Sequence, residues 1–434
     1  MKRLIVCCDG TWNEIDYRVR PTTNVVKLAQ SVHAYGADAD GNEIPQVVFY
    51  DEGVGTLEGE SMEGGGFGDG LEQNIKDAYA FLVFNYNPGD EVFIFGFSRG
   101  AYTARSLAGM IRNCGIVRRD CSPCVGEAFD LYKDKKRHPD AEESWAFRER
   151  TGHKDMWVSR DVIGPGRSHA VRSDLKNENQ LVITYLGVWD TVGQLGVPGV
   201  FNAVANKPED HGFHDLKLSS FVKQARHAVA IDEKRTVFRP TLWEPKKLAL
   251  LNQKTSGIEV APEDNSNDPR LYQQKWFAGD HGSVGGGGDL TGLSDIALSW
   301  VAEGARMNGA NLSYDENFKC VDFEVKYNKG RSIKSRRVRF NANGHAPLSN
   351  VSDDYKGSSS VLGRALGYAM NIGQRDRLAD LPSLDDFHLS AKSYAGYDQK
   401  DMNYPNDLVD RLKAYTQYRH KDIYKRFPSY VKDV

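Results

Sequence analysis

Cysteine is scarce in this chain, six among 434 residues, which excludes a small scaffold stapled by disulfides. Two of the six, Cys121 and Cys124, have C-x-x-C spacing. No second such pair and no adjacent histidine pair completes a zinc or redox site, so reduced thiols are expected. His211 and His214 likewise lack further ligands in the sequence; no metal and no cofactor is expected. Charge of one sign is lacking too. The 56 Lys and Arg face 59 Asp and Glu, a net charge of −3, and nothing marks a nucleic-acid-binding surface. Long hydrophobic runs are absent: none approaches the ~18 apolar residues that a membrane span needs. The apolar start Leu4–Cys8 meets Asp9 at once, which is too short for a secretory leader. It reads as a first strand, in a protein expected to be cytoplasmic as synthesised, with any export independent of a signal peptide. The glycine-rich stretch from Gly53 to Gly70 lacks the Lys-Ser/Thr ending of a phosphate-binding loop. Its Glu58, Glu60 and Glu63 would repel phosphate, and a surface loop is expected there.

What is present is an ordinary globular balance, 40% hydrophobic and 26% charged, with enough chain for a large core. Within it, "VFIFGFSRGAYTAR" runs an apolar, strand-forming segment into Gly96-Phe97-Ser98-Arg99-Gly100. That is the G-x-S-x-G pattern of a nucleophile elbow, in which a sharp turn between strand and helix exposes one hydroxyl. The pattern alone is weak; its context is what counts. Asn87-Pro88-Gly89-Asp90 is a turn signal ahead of the strand. Ala101, Ala104, Leu107, Ala108 and Ile111 follow at helical spacing, with Gly115 as a stop.

Strand patterns at Leu4–Cys8, Gln46–Tyr50, Val92–Phe97, Gln180–Trp189 and Lys275–Ala278 alternate with helical ones at Thr23–His33, Leu71–Phe84, Leu216–Ile231 and Leu293–Met307. Such alternation predicts an α/β fold, a mostly parallel sheet with helices on both faces, and the elbow after its third strand pattern is the arrangement of the alpha/beta-hydrolase type. A catalytic domain is expected over 1–312, with an insertion at about 116–179 carrying one helix near Glu127–Lys135. That insertion reads equally as a lid or as a surface elaboration. Residues 313–434 form an extension: a basic, hairpin-like region from Val325 to Phe340, a serine-rich loop near 357–360, and a last helix. The Tyr/Lys/Arg face of that helix suits solvent, with peripheral membrane contact as the alternative.

A serine hydroxyl needs a base, and the base needs an orienting carboxylate. On hydrolase sheets the order is Ser, then Asp or Glu, then His. His281 sits in "WFAGDHGSVGGGG" just past a short strand, and Asp190 ends "LVITYLGVWD", so both belong at the strand ends where Ser98 lies. His227 reads as a structural residue within a helix, and Asp280 as too close to His281 in sequence to face it. The oxyanion hole requires two backbone N–H donors, one from Arg99 and one from the loop around Gly10 and Thr11. The start "CCDGTWN" also suggests a D-x-D-G-T phosphotransferase, but Cys7 stands where that chemistry needs an aspartate.

Taken together, "VCCDGTWN", "TTNVVKLA", "YDEGVGT", "GFSRGAYTAR", "LGVWDTVG", "RHAVAIDEKRTVFRPTLW" and "WFAGDHGSVGGG" resemble the catalytic domain of type VI secretion phospholipase effectors, over roughly residues 2–305. The resemblance implies an ester hydrolase with Ser98, Asp190 and His281 as its triad. It implies phospholipid or another carboxylic ester as substrate, with a secretion or immunity partner unidentified. One departure is local: the family pattern at the histidine reads H-S-D, and here His281-Gly282-Ser283 stands in its place. Esters of small or polysaccharide-linked acyl groups, and a catalytically silent interaction protein, are the alternatives.

Overall fold

A computed structural model describes residues 1–10, 22–53, 66–154, 156–164, 169–176, 179–193, 218–233, 235, 238–256, 269–288, 291–318, 323–329, 332–338 and 340–342. Thr11, His211, His214, the serine-rich loop and the last helix lie outside the described residues.

The first strand, β1 (Arg3–Cys8), is apolar from Leu4 onward and buried throughout. That fits a strand covered on both faces. Leu4, Val6 and Cys8 join the core on one face, and Ile5 and Cys7 the core on the other. Helix α1 (Asn24–Ser31) follows, capped by the Thr23 side chain, which accepts from the Val26 N–H. Then come β2 (Tyr35–Ala37), β3 (Glu43–Asp51), α2 (Gly66–Asn85), β4 (Glu91–Phe97) and α3 (Arg99–Cys114). The end of the expected glycine-rich loop, Gly66–Gly70, is thus the first turn of α2.

The insertion carries a 3₁₀ turn at Arg119–Cys124, α4 (Val125–Lys133), α5 (Glu142–Thr151) and a small hairpin, β5 (Asp161–Ile163) with β6 (His169–Val171). Among the described residues it holds one more α-helix than the sequence suggested. Ala128, Phe129, Leu131, Tyr132 and Phe147 bury in the same core as α2 and α3. The chain returns to the sheet with β7 (Tyr185–Trp189) and β8 (Ala225–Ala230), then α6 (Pro245–Ser256), β9 (Tyr272–Phe277), α7 (His281–Gly285) and α8 (Gly292–Arg306).

Among the described residues the main sheet has the order β2-β3-β1-β4-β7-β8-β9. Only the β2–β3 pair is antiparallel. The order reverses at β1, with β3 on one side and β4 on the other. In such sheets the crevice for a ligand opens beyond the carboxyl ends of the strands at that point. A separate antiparallel hairpin, β10 (Phe323–Lys329) with β11 (Ser332–Val338), follows α8.

One expected element is overturned. The expected helix at Leu216–Ile231 contains β8 instead, paired parallel to β7 (Val188↔His227) and β9 (His227↔Gln274). Its alanines carry high helix propensity, and a strand buried on both faces shows no alternation. Its polar members find partners in the core. Arg226 donates to the Trp300 carbonyl, and His227 Nε2 accepts from the Thr191 N–H at 3.2 Å. His227 is structural, but on a strand.

Candidate active site

Ser98 sits between β4 and α3 with φ 58° and ψ −122°, a conformation that non-glycine residues rarely adopt. The neighbouring glycines permit it. A Cβ on Gly96 would lie 2.4 Å from the Gly100 carbonyl oxygen, and one on Gly100 would lie 2.2 Å from the Cys8 carbonyl oxygen. Helix α3 therefore starts hard against the end of β1, and Ser98 stands at its N-terminus. The Ser98 N–H donates to the Trp189 carbonyl at 3.1 Å, which ties the turn to β7.

Asp190 follows β7 directly, at φ 33°. Its N–H donates to the Ala228 carbonyl at 2.7 Å, and its Oδ1 accepts from the Ala230 N–H at 3.0 Å. Both contacts come from β8, so the carboxylate is fixed by the sheet itself. His281 opens α7 beyond β9. Its Nδ1 lies 2.6 Å from Asp190 Oδ2, and its Nε2 lies 2.8 Å from Ser98 Oγ. A carboxylate only accepts, so Nδ1 carries the proton and Nε2 is left to accept from the serine hydroxyl. Asp190 is fully buried, and Ser98 and His281 are 5% and 7% exposed, so little water competes for the relay. Three strand ends, separated by up to 183 residues, meet there.

Asp280 has a different task. Its Oδ1 accepts from the Ser283 N–H at 2.9 Å and from Ser283 Oγ at 2.8 Å, capping α7. Ser283 closes the turn that presents His281. Asp174 is exposed and paired with Arg172, away from the relay.

At the end of β1, fully buried Asp9 accepts from Thr23 Oγ1 at 2.5 Å, from the Tyr50 hydroxyl at 2.9 Å and from the Gly10 N–H at 2.7 Å. A side chain on Gly53, at φ +80°, would meet the Asp9 carbonyl at 2.6 Å. Asp9 and Gly10 are thereby clamped beside the start of α3, with the Gly10 N–H already engaged. Burial pushes the Arg99 guanidinium down to about 10. Among the described residues no group of three or more His, Cys, Asp or Glu side chains could hold a metal ion. Likewise no helix is long and apolar enough to cross a membrane.

The sequence reading missed what surrounds the imidazole. Phe97 and Phe238 lie 4.6 and 4.7 Å from it, ring centre to ring centre. Gly285 admits Phe97, since a Cβ there would come within 1.9 Å of its ring. Glu233 and Arg235 form a buried pair beside the His281 N–H. The only signal for them was "DEKR" within a longer motif, and it reads as a solvated charge run.

The family model described as "T6SS, Phospholipase effector Tle1-like, catalytic domain" matches residues 2–304. The chain belongs to the Tle1-like catalytic domain family. An uncharacterized protein of Saccharomyces cerevisiae is 25% identical to this Tle1-like chain over 287 residues, covering 61% of the chain and 37% of the yeast protein. The chain thus spans well under half the length of that relative. Among solved structures, an uncharacterized protein from Pseudomonas aeruginosa has a TM-score of 0.36 at 16% identity, covering 72% of this chain and 46% of the other. The Tle1 effector bound to the VgrG spike from the type 6 secretion system has a TM-score of 0.36 at 13% identity, covering 96% and 83%. At these scores neither neighbour adds to what the sheet order of the Tle1-like chain already shows.

Proposed function

We propose that the chain is a serine ester hydrolase of the phospholipase class, working through an acyl-enzyme. One observation carries the reading: the relay Ser98 Oγ to His281 Nε2 at 2.8 Å, and His281 Nδ1 to Asp190 Oδ2 at 2.6 Å, built on a strained elbow. In it, Ser98 Oγ attacks the ester carbonyl carbon as Nε2 takes its proton. The imidazolium, held by Asp190, returns that proton to the leaving alcohol. Water, activated by the same nitrogen, then cleaves the acyl-enzyme and frees the serine. The developing oxyanion is assigned to the Arg99 N–H at the start of α3 and to the loop at Gly10 and Thr11. Since the Gly10 N–H is held by Asp9, Thr11 is the proposed second donor and Gly10 its support. Phospholipid is the proposed substrate because family membership carries that class.

The test is labelling by a fluorophosphonate probe. Wild-type protein is expected to react and Ser98→Ala to stay unlabelled; equal labelling of both would sink the assignment. An acyl-chain series of synthetic esters, run beside phospholipid vesicles, tests the substrate class. Hydrolysis limited to acetyl and butyryl esters would exclude phospholipid.

A further inference from the structure

His281 is also held from a side that the serine relay does not use. Its backbone N–H donates to Glu233 Oε2 at 3.3 Å. Glu233 lies in the loop after β8 and is 2% exposed. Its Oε1 accepts from the Arg235 backbone N–H and from Arg235 Nε, both at 2.8 Å, and its Oε2 accepts from Nη2 at 2.6 Å. The Arg235 guanidinium lies 4.1 Å from the centre of the Phe238 ring, which in turn lies against the imidazole. One ion pair therefore reaches the histidine twice, through its backbone and through its ring.

A buried ion pair is a poor source of stability, because desolvation offsets most of the attraction. Apolar residues of the same volume would serve the core as well. We propose that Glu233 and Arg235 form a positioning unit for the His281 base, Glu233 fixing the start of its helix and Arg235, through Phe238, fixing its ring. The inference rests on the reading of His281 as the general base. Burial pushes the Glu233 carboxyl up, but the Arg235 hydrogen bonds and charge, with His281 nearby, outweigh that and hold it below its ordinary value. Glu233 is accordingly anionic at neutral pH, and the pair is neutral as a unit.

Among the described residues, the carboxylates near His281 are already engaged. Asp190 faces it from the end of β7. Asp280 caps α7, and Asp232 accepts from the Gly279 N–H at 2.6 Å. On the helix side, Asp295 of α8 is paired with Lys27 of α1. Removing one member of the Glu233–Arg235 pair therefore changes the charge beside the imidazole by one unit, and the sign of the change depends on which member is lost. Glu233→Gln leaves a cation, which disfavours imidazolium and moves the acidic limb of the rate profile to lower pH. Arg235→Met leaves an anion and moves the limb to higher pH.

The experiment measures the rate of fluorophosphonate labelling of Ser98 from about pH 5 to about pH 9. Expected are limb shifts of about half a unit or more in opposite directions for Glu233→Gln and Arg235→Met, with labelling slowed about 5- to 50-fold in each. The double variant is expected to regain the wild-type limb but not the rate, because the charge is balanced again while the ring stays unsupported. If Glu233→Gln does not fold, Arg235→Met and Arg235→Lys carry the test, the limb rising in the first and staying in the second. Shifts in the same direction for both single variants, or wild-type rates in all of them, overturn the positioning unit. Failure of the underlying reading looks different: Ser98→Ala or His281→Ala would label like wild type.

Discussion

Asp190 and Asp280 both lie near His281, and the backbone gives them separate tasks. Asp190 reaches Nδ1 from the end of another strand, whereas Asp280 turns toward Ser283 in its own helix. Asp190→Asn is expected to lower turnover by about 10²–10⁴ with little change in melting temperature, since an amide stabilises the wrong tautomer. Asp280→Asn keeps an oxygen for the Ser283 N–H and is expected to lower turnover less than about tenfold. Asp280→Ala is expected to lose about 1 kcal/mol of stability with the cap. Turnover and thermal melting of the three variants measure this; a crippled Asp280→Asn beside a nearly silent Asp190→Asn would reverse the assignment. At this scale the sequence was legible where a polar residue ended an apolar run, as at Ser98 and Asp190. Glu233 and Arg235 were not. Charged residues are seldom buried unless paired, and nothing in "DEKR" tells that the second and fourth residues close on each other.

Among the elements, the strand–turn–helix at Ser98 could be read because an unbroken apolar run meets a helical spacing and Gly115 marks the stop. The reason for its glycines is visible only in three dimensions. Helix propensity alone makes Gly100→Ala a gain of about 0.5–1 kcal/mol. The added methyl would instead press on the Cys8 and Asp9 carbonyls at 2.2 and 2.3 Å. Overpacking of this kind typically costs about 1–3 kcal/mol, so urea denaturation is expected to show a net loss; a net gain would refute the close approach of α3 to β1. Strand β8 was illegible for the opposite reason. Its neighbours on both sides supply its partners, and local pattern has no access to them.

For the molecule as a whole, the mostly parallel α/β architecture followed from the alternation of strand and helix patterns, without its strand order. The ties across its layers did not. Lys27 of α1 and Asp295 of α8 pair at 2.5 Å with both side chains fully buried, and Asp295 Oδ2 also accepts from the Asn341 N–H at 2.7 Å. Asn341, beyond β11, is thus fastened to the helix layer that backs α7. Lys27→Met is expected to cost about 3–5 kcal/mol by stranding a buried carboxylate, and Lys27→Met with Asp295→Leu to recover much of that loss. Chemical denaturation of the single and double variants decides it; equal losses in both would mean that the pair contributes only bulk.

The sequence separation of 183 between nucleophile and base sets a clock on the protein's birth. Translation adds about 5–20 residues each second, so Ser98 leaves the decoding centre about 10–40 s before His281 is made. In the proposed chemistry, every nascent chain passes through an interval with an elbow and no base. On that reading the serine gains its attacking power only once β9 has been followed by α7, whatever part of the chain is still to be made.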